Sequence, residues 1–170
     1  MRRLILPLAA LCLLGGCGYH LAGRGNSLPA DVRTLHIGMF SNGTYEPFLE
    51  NIVTNAVTDK FVEGRQLQLV EKPAEADALL TGRVVAYSTD PISYDRNDAI
   101  LEYRSRMTVR ATLRRGRDHK ILWKGDVTWS REYRANRMDM AAQQDNEAAA
   151  IREIGDRLAA ELYSRIMDNF

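Results

Sequence analysis

The feature that most constrains the fold is a long alternation of apolar and polar residues on both sides of one turn. The first half occupies Leu101–Arg114 and the second half occupies Ile121–Tyr133. The segment "RRGRDHK", around Gly116, separates them. A period of two residues is typical of a β-strand with one buried and one solvated face. We therefore predict a long β-hairpin whose inner face carries Leu101, Tyr103, Met107, Val109, Ala111, Leu113, Ile121, Trp123, Val127, Trp129 and Tyr133.

The rest of the chain supplies further strands and two amphipathic helices. The patterns predict strands at Arg33–Phe40, Leu67–Val70 and Ala78–Ser88, a helix at Pro47–Glu63, a polar loop at Thr89–Asp98, and a C-terminal helix that starts between Asp139 and Glu147. The element order is therefore close to β-α-β-β-β-β-α. A mostly antiparallel sheet with both helices on one face buries every apolar stripe, which predicts an α+β domain in two layers.

The beginning of the chain has the organisation of a bacterial lipoprotein signal. Two arginines precede an apolar run, residues 4–14, which is shorter than the roughly 20 residues that span a bilayer. The sequence "LGGC" then ends at Cys17, whose thiol is the group that a lipobox acylates. We predict a signal peptide at 1–16, a lipidated N-terminus and tether at 17–30, and a single domain at 31–170. An ordinary secretory signal with a chance cysteine is the alternative.

Gly18 and the cysteine count refine this prediction. Gly18, rather than an aspartate, follows the acylated cysteine and favours the outer membrane over the inner membrane. Cys12 leaves with the signal peptide, so Cys17 is the last cysteine and is committed to lipid. The mature chain therefore has no disulfide and no cysteine metal site.

The sequence carries no motif of a known enzyme class. Its three histidines, His20, His36 and His119, are isolated from one another and lack zinc-site spacing. No GxSxG elbow and no glycine-rich phosphate loop occurs. We therefore predict no catalytic residue, no metal and no cofactor, and we interpret His36 as a surface or rim residue.

Charge is balanced overall but concentrated in one segment. The chain has 23 Lys and Arg against 22 Asp and Glu, which gives a net charge of +1. Residues 96–137 hold 12 of those basic residues and only 5 of the acidic ones. Four of the basic residues share one strand face over roughly 30 Å, which suits a ligand with several anionic groups. They are Arg104, Arg106, Arg110 and Arg114.

Three interpretations of this face remain open: a solvated surface, a dock for a protein wall, and a site for a polyanion. Nucleic acid is excluded because a secreted lipoprotein does not meet the genome. Lipopolysaccharide is the abundant phosphate-rich ligand of the predicted compartment. From the charge pattern, the candidate lipopolysaccharide-binding residues are Arg96, Arg104, Arg106, Arg114, Arg115 and Arg117.

Four ordered segments resemble one known family. They are "CGYHLAG" at the lipidation site, "LPADVRTLHIGMFSNGTYEPFLE", "ADALLTGRVVAYSTDPISYD" and "EYRSRMTVRATL". Together they resemble the LptE family of lipopolysaccharide-assembly lipoproteins over nearly the whole mature chain. The resemblance implies an α+β two-layer sandwich with two helices on one face of a four-stranded, mostly antiparallel sheet.

The resemblance also implies a non-catalytic function. LptE-like proteins lie at the periplasmic face of the outer membrane, plug and help assemble the LptD β-barrel, and bind lipopolysaccharide during its transport to the cell surface. The rival interpretations are an accessory or pilot lipoprotein of another envelope complex, such as a secretin or a lipid transporter, and an envelope hydrolase without a recognisable motif.

Overall fold

The structure is a computed structural model that describes residues 28–167. The predicted signal peptide and the predicted lipidation site at Cys17 lie outside the described residues. Within 28–167 the elements are β1 (Thr34–Ile37), β2 (Ser41–Asn42), α1 (Leu49–Gly64), β3 (Gln68–Leu69), a 3₁₀ turn (Pro73–Glu75), β4 (Ala78–Tyr94), β5 (Ile100–Arg115), β6 (Ile121–Arg134) and α2 (Met140–Met167). The start of α2 falls inside the window that the sequence predicted.

The strands form one mixed sheet in the order β3-β1-β4-β5-β6, with β2 beside β4. Strands β4, β5 and β6 are antiparallel neighbours, whereas β1 runs parallel to β3 and β4, and β2 runs parallel to β4. The α+β class is confirmed, but the prediction of four mostly antiparallel strands is corrected to six strands in a mixed sheet. Helix α1 returns the chain across the sheet, so the strand that follows it enters parallel to β1.

Both helices pack on one face of the sheet and close a single core. Helix α1 contributes Leu49, Val53, Val57 and Phe61, and α2 contributes Ile151, Ile154, Leu158, Leu162 and Ile166. These side chains meet Leu35, Leu80, Val84, Met107 and Leu113 of the sheet. Within residues 28–167, neither helix has the length and apolar run that crossing a bilayer requires.

Strand β4 is longer than its sequence predicts. The polar stretch Thr89–Asp98 was predicted as a loop, but β4 continues to Tyr94 and the turn occupies only Asp95–Ala99. Pairing with β5 overrides the polar composition of this stretch. Strand β2 pairs with β4 only as far as Val84. Beyond that point this flank of β4 is an edge, where a proline such as Pro91 is tolerated because no ladder hydrogen bond is lost.

The two tryptophans of β6 differ in burial, although the sequence predicted both as core. Trp123 is half-buried and packs against the core. Trp129 is 40% exposed, so its assignment to the core is wrong. Strand β6 is the last strand of the sheet, and the outer flank of Trp129 has no neighbouring strand. Leu101, which was also assigned to the inner face, is exposed near the end of its strand. The assignment of Ile121 to the inner face is wrong, because a register shift pairs it with Arg114 and leaves Leu122 to pack against the core.

Candidate functional site

Alternate side chains of β4, β5 and β6 point away from both helices and form a surface that we call the open face. Their chain neighbours, such as Met107 and Leu113, are fully buried against the helices, so the alternation fixes the face of each residue. The open face comprises Thr81, Arg83, Ala86, Ser88 and Asp90 of β4, Arg104, Arg106, Thr108, Arg110, Thr112 and Arg114 of β5, and Lys124, Asp126, Thr128, Ser130 and Glu132 of β6.

Cross-strand register pairs two of the open-face arginines with carboxylates. Nε and NH2 of Arg110 donate to the two carboxylate oxygens of Asp126 at 2.8 and 2.7 Å. Nε and NH2 of Arg104 donate to Oε1 of Glu132 at 3.1 and 2.6 Å. The hydrogen bonds of Arg110 lower the pKa of Asp126. Charge-assisted pairs of this kind hold the guanidinium groups in place and neutralise them.

Two other arginines of the open face lie opposite residues that carry no charge. Arg106 is exposed and stands in register between Ser88 and Ser130. Arg114 stands between Leu79 and Ile121, and its NH1 group donates to the His119 carbonyl oxygen at 3.4 Å. Neither has an ion pair with an acidic residue of 28–167. These guanidinium groups are therefore available to an external anion.

The remaining candidate arginines lie at opposite ends of β5 or in the turns just beyond them. Arg96 is exposed in the β4–β5 turn. In the β5–β6 turn, Arg117 forms an ion pair with Asp31 at 3.2 Å, and Arg115 approaches Asp31 at 3.9 Å and Asp118 at 3.6 Å. Sixteen strand residues span about 50 Å. The structure thus separates the six candidates along the strand and does not bring them into one site.

A cleft of about 540 Å³ lies beside the β5–β6 turn and is lined in part by Asp31, Asp77, Arg115, Arg117 and His119. Asp77 accepts hydrogen bonds from the backbone N–H groups of Arg33 and Thr34, both at 3.0 Å, and these bonds lower its pKa. Nε of Arg115 is buried without a hydrogen-bond partner among residues 28–167. Most of the charged side chains around this cleft are already paired with each other or hydrogen-bonded to the backbone.

A polar cluster on the covered side of the sheet was not predicted from the sequence. The hydroxyls of Tyr87 and Thr89 each donate to Oε1 of Glu147 at 3.0 Å. The Ser105 hydroxyl lies 3.0 Å from that of Tyr87 and 2.8 Å from that of Thr89. Burial raises the pKa of Tyr87 to about 12. The cluster joins α2 to β4 and β5. The one sign of it in the sequence is Ser105, a polar residue among the apolar inward-facing positions of β5.

The groups described above can bind a ligand through charge and hydrogen bonds. Among residues 28–167, no group of three His, Cys, Asp or Glu side chains is placed to hold a metal ion. His36 is half-buried, and its Nδ1 lies 3.2 Å from the Val70 carbonyl oxygen at the rim of the sheet. The open face offers the guanidinium groups of Arg106 and Arg114 to an anionic ligand, and its paired charges and hydroxyls to a polar protein wall.

Solved structures share this fold at low sequence identity. Rare lipoprotein B from Shewanella oneidensis matches with a TM-score of 0.57 and 12% identity, over 79% of this chain and 93% of that one. Uncharacterized lipoprotein B from Nitrosomonas europaea matches with a TM-score of 0.57 and 13% identity, over 88% and 90%. The PelC dodecamer from Paraburkholderia phytofirmans matches with a TM-score of 0.55 and 13% identity, over 84% and 95%.

A comparison with models of protein families identifies the family of the chain as well as its fold. No curated protein matches the sequence. The family model for LptE, described as lipopolysaccharide-assembly, matches residues 32–166. That range begins just before β1 and ends within the last turn of α2, so it contains the whole sheet, α1 and all but the last residue of α2. The chain therefore belongs to the LptE family, a non-enzymatic family of lipopolysaccharide-assembly lipoproteins.

Proposed function

We propose that this protein is an outer-membrane lipoprotein, anchored through Cys17, that plugs and helps assemble an LptD-like β-barrel and binds lipopolysaccharide during transport. Family membership supports the general role in lipopolysaccharide assembly. The lipobox that ends at Cys17 supports the anchor. Each buried methylene group of an acyl chain contributes about 0.8 kcal/mol, so several acyl chains together are enough to hold the domain at the periplasmic face.

The observation that carries the proposal is the composition of the open face. A plug inside a barrel meets a hydrophilic wall, and its contact surface must satisfy polar groups without exposing apolar ones. The middle rows of the open face meet this requirement because they hold ion pairs and hydroxyls, such as Thr108 and Thr128, whose oxygens lie 2.9 Å apart. The large apolar residues in register on this face, Leu79 and Ile121, lie only at its end, beside Arg114. No helix of residues 28–167 lies over it.

The six candidate arginines divide into two groups for lipopolysaccharide binding. Arg104, Arg115 and Arg117 already have carboxylate partners. Arg96, Arg106 and Arg114 have no acidic partner among residues 28–167 and keep an available charge. We propose that the second group makes the stronger contacts with lipid phosphates, since an occupied guanidinium must first break an internal pair.

A pull-down from detergent-solubilised outer membranes tests the function. Tagged wild-type protein is expected to bring down a large β-barrel with bound lipopolysaccharide, and Cys17→Ala is expected to leave the outer-membrane fraction. Recovery of a secretin or a lipid transporter instead of the barrel would favour the role of an accessory lipoprotein. A mature N-terminus without acyl chains, seen by mass spectrometry, would contradict the anchor.

A further inference from the structure

Two aromatic side chains project from the segment between β2 and α1, residues 43–48, which we call the aromatic loop. Tyr45 is fully exposed, and Phe48 is 66% exposed. Large aromatic residues carry a big apolar surface and are common energetic anchors when a partner covers them. Two exposed aromatics within four residues therefore mark this loop as a candidate interaction surface.

Hydrogen bonds from one side chain fix the shape of the aromatic loop. Oδ1 of Asn42 accepts from the backbone N–H and the hydroxyl of Thr44, both at 2.9 Å. Nδ2 of Asn42 donates to the Glu46 carbonyl oxygen at 2.6 Å and to Oε2 of Glu50 at 3.1 Å. A loop held in this way loses little conformational entropy on binding.

The backbone at Phe48 is strained, although most of this side chain lies in solvent. Phe48 has a φ of 65°, in the left-handed region that favours glycine. Its neighbour Leu49 is fully buried, so the backbone turn places Leu49 in the core and Phe48 in solvent. Strain at an exposed aromatic residue points to a role in binding, because glycine at this position would remove the strain.

The charge of the loop indicates the chemistry of its partner. Residues 41–50 include Glu46 and Glu50 and no Lys or Arg. Glu147 lies against the same cleft as Glu46, and burial together with this neighbour raises the pKa of Glu46. Arg83 lies against Gly43 at the start of the loop, but the ionisable groups next to the two aromatic residues in the chain, Glu46 and Glu50, are acidic. This acidic charge disfavours anionic lipid headgroups and favours a protein surface that carries basic groups.

We propose that the aromatic loop is a second anchor, in which Tyr45 and Phe48 insert into an apolar slot bordered by Lys or Arg on the barrel partner. This inference rests on the proposed function, which supplies the barrel. The position of the loop supports it, because the Gly43 N–H donates to the Val84 carbonyl oxygen at 2.9 Å and Arg83 of the open face lies against Gly43. The anchor therefore borders the surface that is proposed to face the barrel wall.

Two substitutions at Phe48 separate a binding role from a structural one. Phe48→Gly and Phe48→Ala both remove the ring, but only glycine relieves the strain. We expect both variants to bind the purified LptD-like barrel at least about 10-fold more weakly than wild type. We expect Phe48→Gly to melt about 2–4 °C above Phe48→Ala, since glycine is the residue that the backbone favours. Titration of the barrel with the acylated mature protein, and circular dichroism, give the two readouts.

A control variant makes each outcome decisive. Val62→Ser changes a 58% exposed residue of α1 that lies outside the aromatic loop, and it is expected to bind like wild type. Unchanged barrel affinity of Phe48→Gly would overturn the inference and leave the proposed function standing. Failure of wild type to bind the barrel would overturn both. Phe48→Gly could instead keep its barrel affinity but float less well than wild type with phosphatidylethanolamine–phosphatidylglycerol vesicles. The loop would then be a membrane contact, and the inference would also be overturned.

Discussion

On β5, the side chains of Met107, Val109 and Leu113 lie against the two helices, whereas Arg106, Arg110 and Arg114 lie on the open face one residue away. The two faces use the same backbone and the same alternation. The covered face is held by apolar burial, which requires side chains of the correct volume. The open face is ordered by cross-strand register, because a slip of one residue would separate Arg110 from Asp126 and Arg104 from Glu132.

The difference between the faces gives the largest expected effect on stability. Leu113→Ala removes a fully buried side chain and is expected to lower the free energy of unfolding by about 2–5 kcal/mol. Thr112→Ala, at the next position on the open face, is expected to change it by less than about 0.5 kcal/mol. Urea denaturation of both variants measures the contrast. Similar losses at the two positions would mean that the open face is also part of the stabilising core.

The two tryptophans of the edge strand β6 are expected to differ in stability cost, but by less than Leu113 and Thr112 do. Trp123→Ala is expected to lower the free energy of unfolding by about 3 kcal/mol, because the indole packs against the core. Trp129→Ala is expected to cost about 1 kcal/mol, since much of its surface stays in water. Thermal denaturation of the isolated mature protein checks the ranking. A cost at Trp129 equal to that at Trp123 would show that the edge is covered in solution.

The polar cluster on the covered side predicts a stability change with pH. Tyr87→Phe removes the hydrogen bond to Glu147 and is expected to cost about 1 kcal/mol at pH 7. The folded-state pKa of Tyr87, about 12, lies above its ordinary value of 10, so folding favours the protonated phenol. The contribution of this phenol is complete below pH 10 and is lost as pH rises from about 10 to 12.

The measurement is the difference in the free energy of unfolding between wild type and Tyr87→Phe, taken at pH 8, 10 and 11.5. This difference is expected to shrink as the pH rises. Tyr94→Phe changes an exposed tyrosine of the same strand and serves as the control. A difference that stays constant across the range would contradict the burial of the Tyr87 hydroxyl.

The alternation in the hairpin was enough to predict the main features of the fold. It identified β5, β6 and their two faces, and helical spacing identified α1 and α2. It could not find β2, because two residues are too few to display a period. It also overestimated burial at Trp129, since alternation assigns a residue to a face but does not say whether another element covers that residue.

The candidate site was predictable in its composition but not in its pairing. The sequence placed Arg104, Arg106, Arg110 and Arg114 on one face, and the structure has them there. Which arginines are neutralised depends on the register between β5 and β6, and that register is fixed by the whole sheet. The sequence predicted Phe48 within the helix Pro47–Glu63, but the helix begins at Leu49. The exposure of Phe48 follows from a left-handed backbone angle that the sequence does not encode locally.

The smallest expected effect on stability, and the sharpest test of the open face, is at Arg106. Arg106→Gln is expected to change the free energy of unfolding by less than about 0.5 kcal/mol, because the side chain is exposed and has no carboxylate partner among residues 28–167. Its affinity for purified lipopolysaccharide is expected to fall about 3–10-fold, since a charge-assisted contact with phosphate is lost. Isothermal titration of the mature protein measures this change.

The matched control for Arg106→Gln is the double variant Arg110→Gln/Asp126→Asn, which removes a neutralised pair from the same face without changing the net charge. Its affinity for lipopolysaccharide is expected to equal that of wild type. High salt is expected to reduce the difference between Arg106→Gln and wild type, because exposed charges are screened. If Arg106→Gln binds lipopolysaccharide as tightly as the control, the available arginines of the open face are only solvated, and the surface serves the barrel wall alone.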